Sequence, residues 1–583
     1  MVQSRKRLPF LRLIALAGAF WAYTGAAAKA EGSGADAILQ PQALGQRGVY
    51  ALRSIDPNLT GSGVKFAVIC RSITYADDEP QNDYRPNSQH NCFKDKQFGF
   101  YDLGEPAAGI SAHSTAICSV LVGEDKNGFN PELGGFHYQG TAPSAKADVY
   151  EFWHFLVNNV FPGLPPDADI VSASIGDQFE HWWTRGIESL AEQHGLIVVA
   201  GIGNGLNAHD SPLYPAAGAN AIGVGVVDSV NTETLATNLG RFALAYPEHS
   251  SFGPTADGRC KPDIVAPGNC LAADAGEPNR YEPTGNWSSF STPIAAGTVG
   301  LLVQEAKEDE KLSGAVSPDG GNCVIKAVLM NSATKLPYWH KGRLEKDDDH
   351  YAPLDYIQGA GMLNAVEAYR QLRAGQSKPG NVAVTGWDNN ALDKGKTVEK
   401  VYKVSIPNPA EKYIAATVTW HRHYDSFYPF EAALERDANL RLEVWAVDPN
   451  NPSQGHLLDY SDSPVDNVEH VYCRADANYS HYEIVVLNSD TDDPNRAGGS
   501  QRYGLAWNVG DGPDGNSFFW YDLTADGIVD ELDLAALLNN WIASVRTPAS
   551  YLLGDIDSNG VVDADDLKVM LEHVNLEADW RTK

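Results

Sequence analysis

Three short stretches of the sequence carry side chains that together could hydrolyse an acyl bond. His113 opens an apolar segment of helical type, Asn204 stands between two glycines after a strand-like run, and Ser289 precedes a second apolar helical segment. An imidazole can act as a general base, a serine as a nucleophile, and a side-chain amide as a hydrogen-bond donor to an oxyanion. Each residue alone also fits a structural role: a helix-start histidine, a Gly-Asn-Gly turn and a helix N-cap.

A fourth stretch, VKFAVICRSI over residues 64–73, predicts a buried strand that ends abruptly at Cys70. In parallel sheets the ligand site lies at the C-terminal ends of the strands. A cysteine at such an end is therefore a candidate functional residue, and its chemistry depends on the residues that surround it.

These side chains need a parallel sheet to bring them together, and the sequence predicts one. Strand and helix signals alternate between residues 64 and 300, as expected for an α/β domain with helices on both faces of a mainly parallel sheet. The predicted strands are Lys65–Ile69, Ala147–Phe152, Ile170–Ile175, Leu196–Ala200 and Ala221–Val227, and the predicted helices include Ala112–Val122, Trp182–His194 and Ile294–Gln304.

In this order, the stretches resemble the sequence blocks of the subtilisin-like serine proteases, the subtilases. The resemblance covers roughly residues 45–370 and includes His113-Ser-Thr, Val199-Ala through Gly203-Asn204, Ser251-Phe-Gly, Lys261-Pro-Asp-Ile-Val-Ala-Pro-Gly268, Ser288-Ser289-Phe-Ser-Thr-Pro293 and Gly359-Ala-Gly361. It implies a secreted endopeptidase that acts on peptides or proteins. Ser289 would be the nucleophile, His113 the general base and Asn204 the oxyanion donor.

The resemblance also places Cys70 at the position of the aspartate of the catalytic triad. A neutral thiol orients an imidazole poorly and does not stabilise an imidazolium, so we expect an impaired triad. An inactive subtilase fold that binds peptides or proteins is the alternative. Other possibilities remain open: a carboxylate from Asp77, Asp78 or Glu79 could replace the missing acid, and Cys70 could form a disulfide with Cys118. The seven cysteines also allow a short Cys260–Cys270 bridge.

The start of the chain predicts export. Arg5-Lys-Arg7, an apolar run from Leu8 to about Ala27 and Ala28-Lys-Ala30 form a secretory signal peptide over residues 1–30, which favours a secreted location over an uncleaved anchor. No later stretch predicts a membrane span in the mature chain. The net charge of −31 argues against nucleic acid as a partner.

After the signal peptide, the sequence predicts three domains. They are a subtilisin-like peptidase domain over residues 31–375, an antiparallel β-sandwich over residues 381–510 and a small all-α domain over residues 517–583. The last domain contains a duplicated loop whose spacing of oxygen ligands suits calcium. It resembles the dockerin modules, which implies a cohesin-type or other surface protein as partner. The proposed calcium ligands are Asp522, Thr524, Asp526, Ile528, Asp530 and Asp533 in the first loop, and Asp555, Asp557, Asn559, Val561, Asp563 and Asp566 in the second.

Overall fold

The computed structural model describes most of the chain after residue 38. The described residues are 39–71, 75–76, 79–80, 84–103, 109–205, 211–227, 250–336, 339–342, 349–393, 399–433, 438–448, 450–451, 455–489, 500–510, 521–544, 552–556 and 561–578. The predicted signal peptide lies outside these residues. None of the described helices is long and apolar enough to cross a membrane.

A seven-stranded sheet, parallel throughout, forms the centre of the fold. The prediction of a parallel sheet is confirmed, and each predicted strand begins and ends within two residues of an observed one. In spatial order the strands are Ile264–Pro267, Ile222–Val227, Ile197–Gly201, Ile170–Ala173, Lys65–Cys70, Lys146–Glu151 and Phe100–Tyr101.

The strand Lys65–Cys70, called the central strand below, is buried on both faces. Phe66, Val68 and Cys70 pack into one hydrophobic cluster, while Ala67 and Ile69 pack into another on the opposite face. This alternation follows from the two-residue period of a strand. It places Cys70 on the same face of the sheet as the helices that carry the histidine and serine.

Helices cover both faces of this sheet, as the sequence predicts. The histidine helix, Ala112–Val122, and the serine helix, Ser288–Glu308, pack against each other. The other α-helices among the described residues of this part are Gln42–Gly45, Val49–Ile55, Phe152–Phe155, Trp182–His194, Gly321–Asn331 and Ala365–Arg373, and the helix at Phe152 continues as a π-helix over Leu156–Val160.

Several short strands of the structure are not predicted from the sequence. Glu124–Asn130 and Gly134–Gln139 form an antiparallel hairpin, and the second of them also pairs with Leu39–Gln40. The pairs Leu271–Ala273 with Tyr281–Pro283 and Tyr75–Ala76 with Glu79–Pro80 are antiparallel as well.

Residues 380–510 form two further sheets. One has the strand order Gly380–Val382, Glu399–Ser405, His481–Asn488, Leu440–Val447 and His456–Ser461; the other has Thr385–Leu392, Gln501–Gly510, Tyr413–Trp420 and Val468–Arg474. All strand pairs in these two sheets are antiparallel except that between Gly380–Val382 and Glu399–Ser405.

The four-stranded sheet packs directly on the α/β part of the chain. Trp387, Val468 and Ala506 belong to the same hydrophobic cluster as the central strand. Gly504 permits the close approach, because a Cβ there would lie 2.4 Å from the backbone nitrogen of Val324. The segment around Gln376, between the first two predicted domains, is itself packed: the side-chain amide of Gln376 donates to Asp388 Oδ1 at 3.0 Å.

The C-terminal segment contains two short helices, Glu531–Asn539 and Ala564–His573, around a small apolar cluster. It touches the α/β part of the chain: Leu133 packs against this cluster, and Ser54 Oγ donates to the carbonyl of Ala525 at 2.7 Å.

Candidate active site

The serine helix presents Ser289 at its first turn. The helix begins at Ser288 after Trp287, whose extended backbone ends the preceding segment, and Ser289 is half-buried. Amides in a first turn have no intrahelical acceptor, and the helix dipole favours negative charge there. The backbone carbonyl of Ser289 accepts a hydrogen bond from Ser174 Oγ at 2.9 Å, which ties the helix start to the end of a neighbouring strand.

Asn204 lies against this helix start, and Ser288 fixes its orientation. The Asn204 Oδ1 atom accepts from the backbone N–H of Ser288 at 3.0 Å and from Ser288 Oγ at 2.9 Å. The backbone N–H of Gly203 donates to the same hydroxyl at 3.3 Å. Because the oxygen is engaged in this way, the Nδ2 group is the part of the amide left to donate to a ligand. The structure therefore brings Asn204 and Ser289 together, and it adds Ser288 as a residue that holds the amide.

The role of Ser288 was not predicted from the sequence. The sequence shows a serine directly before Ser289, but a hydroxyl at a helix start can bond to many different groups. Only the fold shows that its partner is a side chain 84 positions earlier.

His113 is the second residue of its helix and is half-buried. Its ring lies 6.3 Å from the ring of Phe290, the residue after Ser289, so it faces the start of the serine helix. Burial lowers the pKa of the His113 imidazole to about 4. Across the described residues, no carboxylate contacts this imidazole and no hydrogen bond joins it to Ser289 or Cys70. The neutral ring can accept a proton, but the imidazolium it would become has no charged partner among the described residues.

Cys70 is fully buried at the end of the central strand. Burial raises the pKa of its thiol to about 12, and the nearby Ser114 hydroxyl offsets only part of that shift. The group is therefore a neutral thiol at neutral pH. A neutral thiol supplies neither the negative charge nor the strong acceptor that a triad acid provides.

None of the seven cysteines is in a disulfide. Both bridges considered from the sequence, Cys70–Cys118 and Cys260–Cys270, are thus absent. Cys118 lies close enough to Cys70 for the two thiols to influence each other, and burial together with that proximity raises the pKa of Cys118 well above its usual range.

A carboxylate does stand beside Cys70, but it has another partner. Glu151 pairs with Cys70 in the parallel register of the two strands, and its Oε2 atom accepts from the backbone N–H of His154 at 2.9 Å. Of the carboxylates considered from the sequence, Asp77 and Asp78 lie outside the described residues, and only the backbone of Glu79 is described.

The first candidate calcium loop gathers several carboxylates. Burial, together with the nearby Asp533 and Asp526, raises the pKa of Asp522 to about 7. Asp533 Oδ2 accepts from the backbone N–H of Asp530, and its Oδ1 atom accepts from Thr524. The side chains of this loop offer carboxylate and hydroxyl oxygens, which are the ligands that calcium prefers, so the residues present fit the ion.

The second loop repeats the same arrangement where it is described. Asp566 Oδ2 accepts from the backbone N–H of Asp563 at 2.8 Å, as Asp533 does from Asp530. Asp557 and Asn559 lie outside the described residues. In the described part of the chain, no three His, Cys, Asp or Glu side chains are grouped tightly enough to form a ready-made metal site.

Comparison with known proteins identifies the class of protein that this fold and site define. The model of the subtilase family, Peptidase S8, matches residues 54–361, which is more than half of the chain. The chain belongs to the subtilase family.

The curated relatives are peptidases of different sizes. The C5a peptidase of Streptococcus pyogenes is 34% identical over 182 residues, which cover 31% of this chain and 14% of that protein. Pyrolysin of Pyrococcus furiosus is 28% identical over 247 residues, covering 36% of this chain and 15% of pyrolysin. The serine protease AprX of Bacillus subtilis is 28% identical over 266 residues, covering 39% of this chain and 52% of AprX. The matches thus span about half or less of the length of these relatives.

One of the solved structures similar to this chain is a maturation protease. It is the prenylagaramide maturation protease PagA, with a TM-score of 0.37 and 19% sequence identity, and the match covers 55% of this chain and 98% of that one.

Proposed function

We propose that this chain is a secreted serine endopeptidase of the subtilase family whose triad is impaired by Cys70. The observation that carries the proposal is the pairing of Asn204 with Ser288 beside Ser289, because it holds an amide donor next to a helix-start serine. Export rests on the signal-type sequence of residues 1–30.

In the proposed reaction, Ser289 Oγ attacks the carbonyl carbon of a peptide bond and its proton passes to His113. The negative charge that develops on the carbonyl oxygen is stabilised by Asn204 Nδ2 and the backbone amide of Ser289. His113 then donates the proton to the departing amine, and the C–N bond breaks to leave an acyl group on Ser289. Water attacks this ester with His113 as base, which releases the acid and restores the serine. The step without support is the protonation of His113, since no acid faces the ring in the part of the chain that the structure describes.

The alternative is an inactive subtilase fold that binds peptides or proteins. The buried neutral thiol at Cys70 and the low pKa of His113 favour this second candidate. A fluorophosphonate probe separates the two, because it reacts only with an activated serine. We expect slow labelling of the purified protein that is abolished in Ser289→Ala, together with weak hydrolysis of casein. A protein that neither labels nor hydrolyses casein, yet binds peptides, would establish the alternative.

We further propose that the segment over residues 517–583 is a dockerin-like module that binds two calcium ions. The oxygen atoms of Asp522, Thr524, Asp526, Asp530 and Asp533, with the carbonyl of Ile528, would hold one ion; Asp555, Asp557, Asn559, Asp563, Asp566 and the carbonyl of Val561 would hold the other. Bound calcium would cross-link each loop to the helix that follows it. A cohesin-type or other surface protein is the proposed partner of this module.

Calorimetric titration of the full chain with Ca²⁺ tests the module. We expect two ions per chain, and we expect Asp533→Asn to remove one of them because this carboxylate links the loop to its helix. Asp565→Asn is the matched control, since this exposed aspartate lies outside the proposed ligand set. Absence of binding heat combined with an unchanged melting curve would contradict the calcium proposal.

A further inference from the structure

Three aromatic side chains contact one another where the α/β part meets a loop of the later sheets, and three exposed aromatic residues are close to them in the sequence. Phe161, Trp182 and Tyr428 contact one another, with ring centroids 5.2 to 5.9 Å apart. Trp153, Phe179 and Phe427 lie near them in the chain and are exposed by 54%, 66% and 76%. We call the set Trp153, Phe161, Phe179, Trp182, Phe427 and Tyr428 the aromatic face.

The aromatic face is held in place from beneath. Phe430 is fully buried in the α/β part, where it packs so closely on the helix Trp182–His194 that a Cβ on Gly186 would lie 2.9 Å from its ring. Arg185 donates to the carbonyl of Pro429 at 3.2 Å. The loop that carries Phe427 and Tyr428 is therefore anchored at its end, and its two aromatic rings are presented to solvent by a fixed backbone. Exposed apolar groups that cluster in this way mark interaction surfaces.

The face begins at the edge of the sheet where Ser289 lies. Trp153 comes two residues after Glu151, which ends the strand paired with Cys70. Phe179 follows the strand Ile170–Ala173, whose next residue, Ser174, donates to the carbonyl of Ser289. Trp153 and Phe179 thus each follow closely in the chain after a strand end at the sheet edge where Ser289 lies.

The charges around the face are mainly negative. Glu180, Asp425 and Glu431 are exposed there, and Arg185 lies 3.7 Å from both glutamates. The whole chain has a net charge of −31. An occupant of this surface should therefore combine apolar side chains with positive charge.

We propose that the aromatic face recognises an apolar, lysine- or arginine-containing segment of the polypeptide substrate, remote from the bond at Ser289. The proposal deepens the proposed function, on which it rests for the polypeptide nature of the ligand. Aromatic side chains in such a surface supply most of the binding energy, and the acidic surroundings select against acidic segments.

The test uses the full chain with Ser289→Ala, which binds without cleaving. The probe is a fluorescent fifteen-residue peptide that alternates Phe or Leu with Lys, and its affinity is measured by anisotropy. We expect Phe161→Ser combined with Tyr428→Ser to weaken binding by about tenfold or more, because both rings are truncated at the centre of the face. Tyr351→Ser is the matched control, since this tyrosine is 60% exposed outside the face, and it should leave the affinity unchanged.

Any of three results would overturn the proposal. The first is equal peptide affinity of the double variant and the Tyr351→Ser control, and the second is equal affinity for a peptide in which Glu replaces Lys. The third is binding of neutral phosphatidylcholine vesicles that depends on the aromatic face, while peptide binding does not. Hydrolysis of a four-residue chromogenic substrate by the protein with Ser289 intact separates this from the peptidase proposal. Peptide binding that depends on the aromatic face, without hydrolysis, would contradict the peptidase proposal and support the proposal for the aromatic face. Hydrolysis together with peptide binding that does not depend on the face would support the peptidase proposal and contradict the proposal for the aromatic face.

Discussion

Replacing Cys70 by aspartate is expected to raise kcat on a short peptide substrate by about 10⁴-fold, with little change in KM. In subtilisin, loss of the triad aspartate alone lowers kcat by about 3 × 10⁴, roughly 6 kcal/mol of activation free energy. The reverse replacement should recover most of that amount here, because Ser289, Asn204 and His113 are present. The expected gain acts on kcat because the aspartate stabilises an imidazolium that forms only during the reaction.

Two further variants make this result interpretable. Cys70→Ser keeps the size of the side chain but adds no charge, so it should leave kcat near that of the wild type. Cys70→Asp combined with Ser289→Ala should be inactive, which would assign the gained activity to Ser289. A folded Cys70→Asp protein with wild-type kcat would contradict the assignment of Cys70 to the triad position.

Replacing Asp263 by asparagine is expected to destabilise the fold more than any surface change. Asp263 is buried between two buried lysines, with Lys261 Nζ 2.5 Å from its Oδ2 and Lys326 Nζ 3.0 Å from its Oδ1. Burial favours the neutral carboxyl, but both lysines outweigh it and hold the pKa of Asp263 below its usual value. Asparagine would leave the two buried lysine side chains without their carboxylate partner, a loss of about 3–5 kcal/mol of unfolding free energy.

Thermal melting of Asp263→Asn and of a surface control tests this expectation. Asp167 forms an ion pair with Lys65 at 2.8 Å, but its side chain is 78% exposed. Exposed pairs contribute little, so Asp167→Asn should melt at nearly the wild-type temperature. Equal melting temperatures for the two variants would show that the buried cluster does not stabilise the fold.

The central sheet could be predicted because its strands are short apolar runs with clear ends, as in Phe66–Cys70. The hairpin Glu124–Gln139 could not, because EDKNGFN lacks the β-branched residues and the alternation that indicate a strand. That segment becomes a strand through its partners, and Phe136 and Tyr138 are its buried contacts. Tertiary pairing of this kind leaves no local pattern in the sequence.

The packing of the later sheets against the α/β part could not be predicted from the sequence either. In the sequence, Trp387, Val468 and Ala506 have the pattern of ordinary strand residues. In the structure they belong to the same hydrophobic cluster as the central strand and the serine helix. Contacts between remote segments have no sequence period, so separate strand patterns cannot reveal that two sheets share one core. The candidate site shows the same limit: Ser289, Asn204 and Cys70 were found by type and position, whereas Ser288 was found only by its hydrogen bonds.

The pKa of His113 tests most directly the claim that this subtilase site lacks its acid. An NMR titration of ¹⁵N-histidine-labelled protein, assigned with His113→Gln, measures it in the native chain. We predict a value near 4, because burial disfavours the charged ring and no acid among the described residues compensates. In Cys70→Asp the added carboxylate should raise it by several units. A wild-type value at or above the ordinary 6.5 would contradict the account, since it would mean that another carboxylate already serves His113.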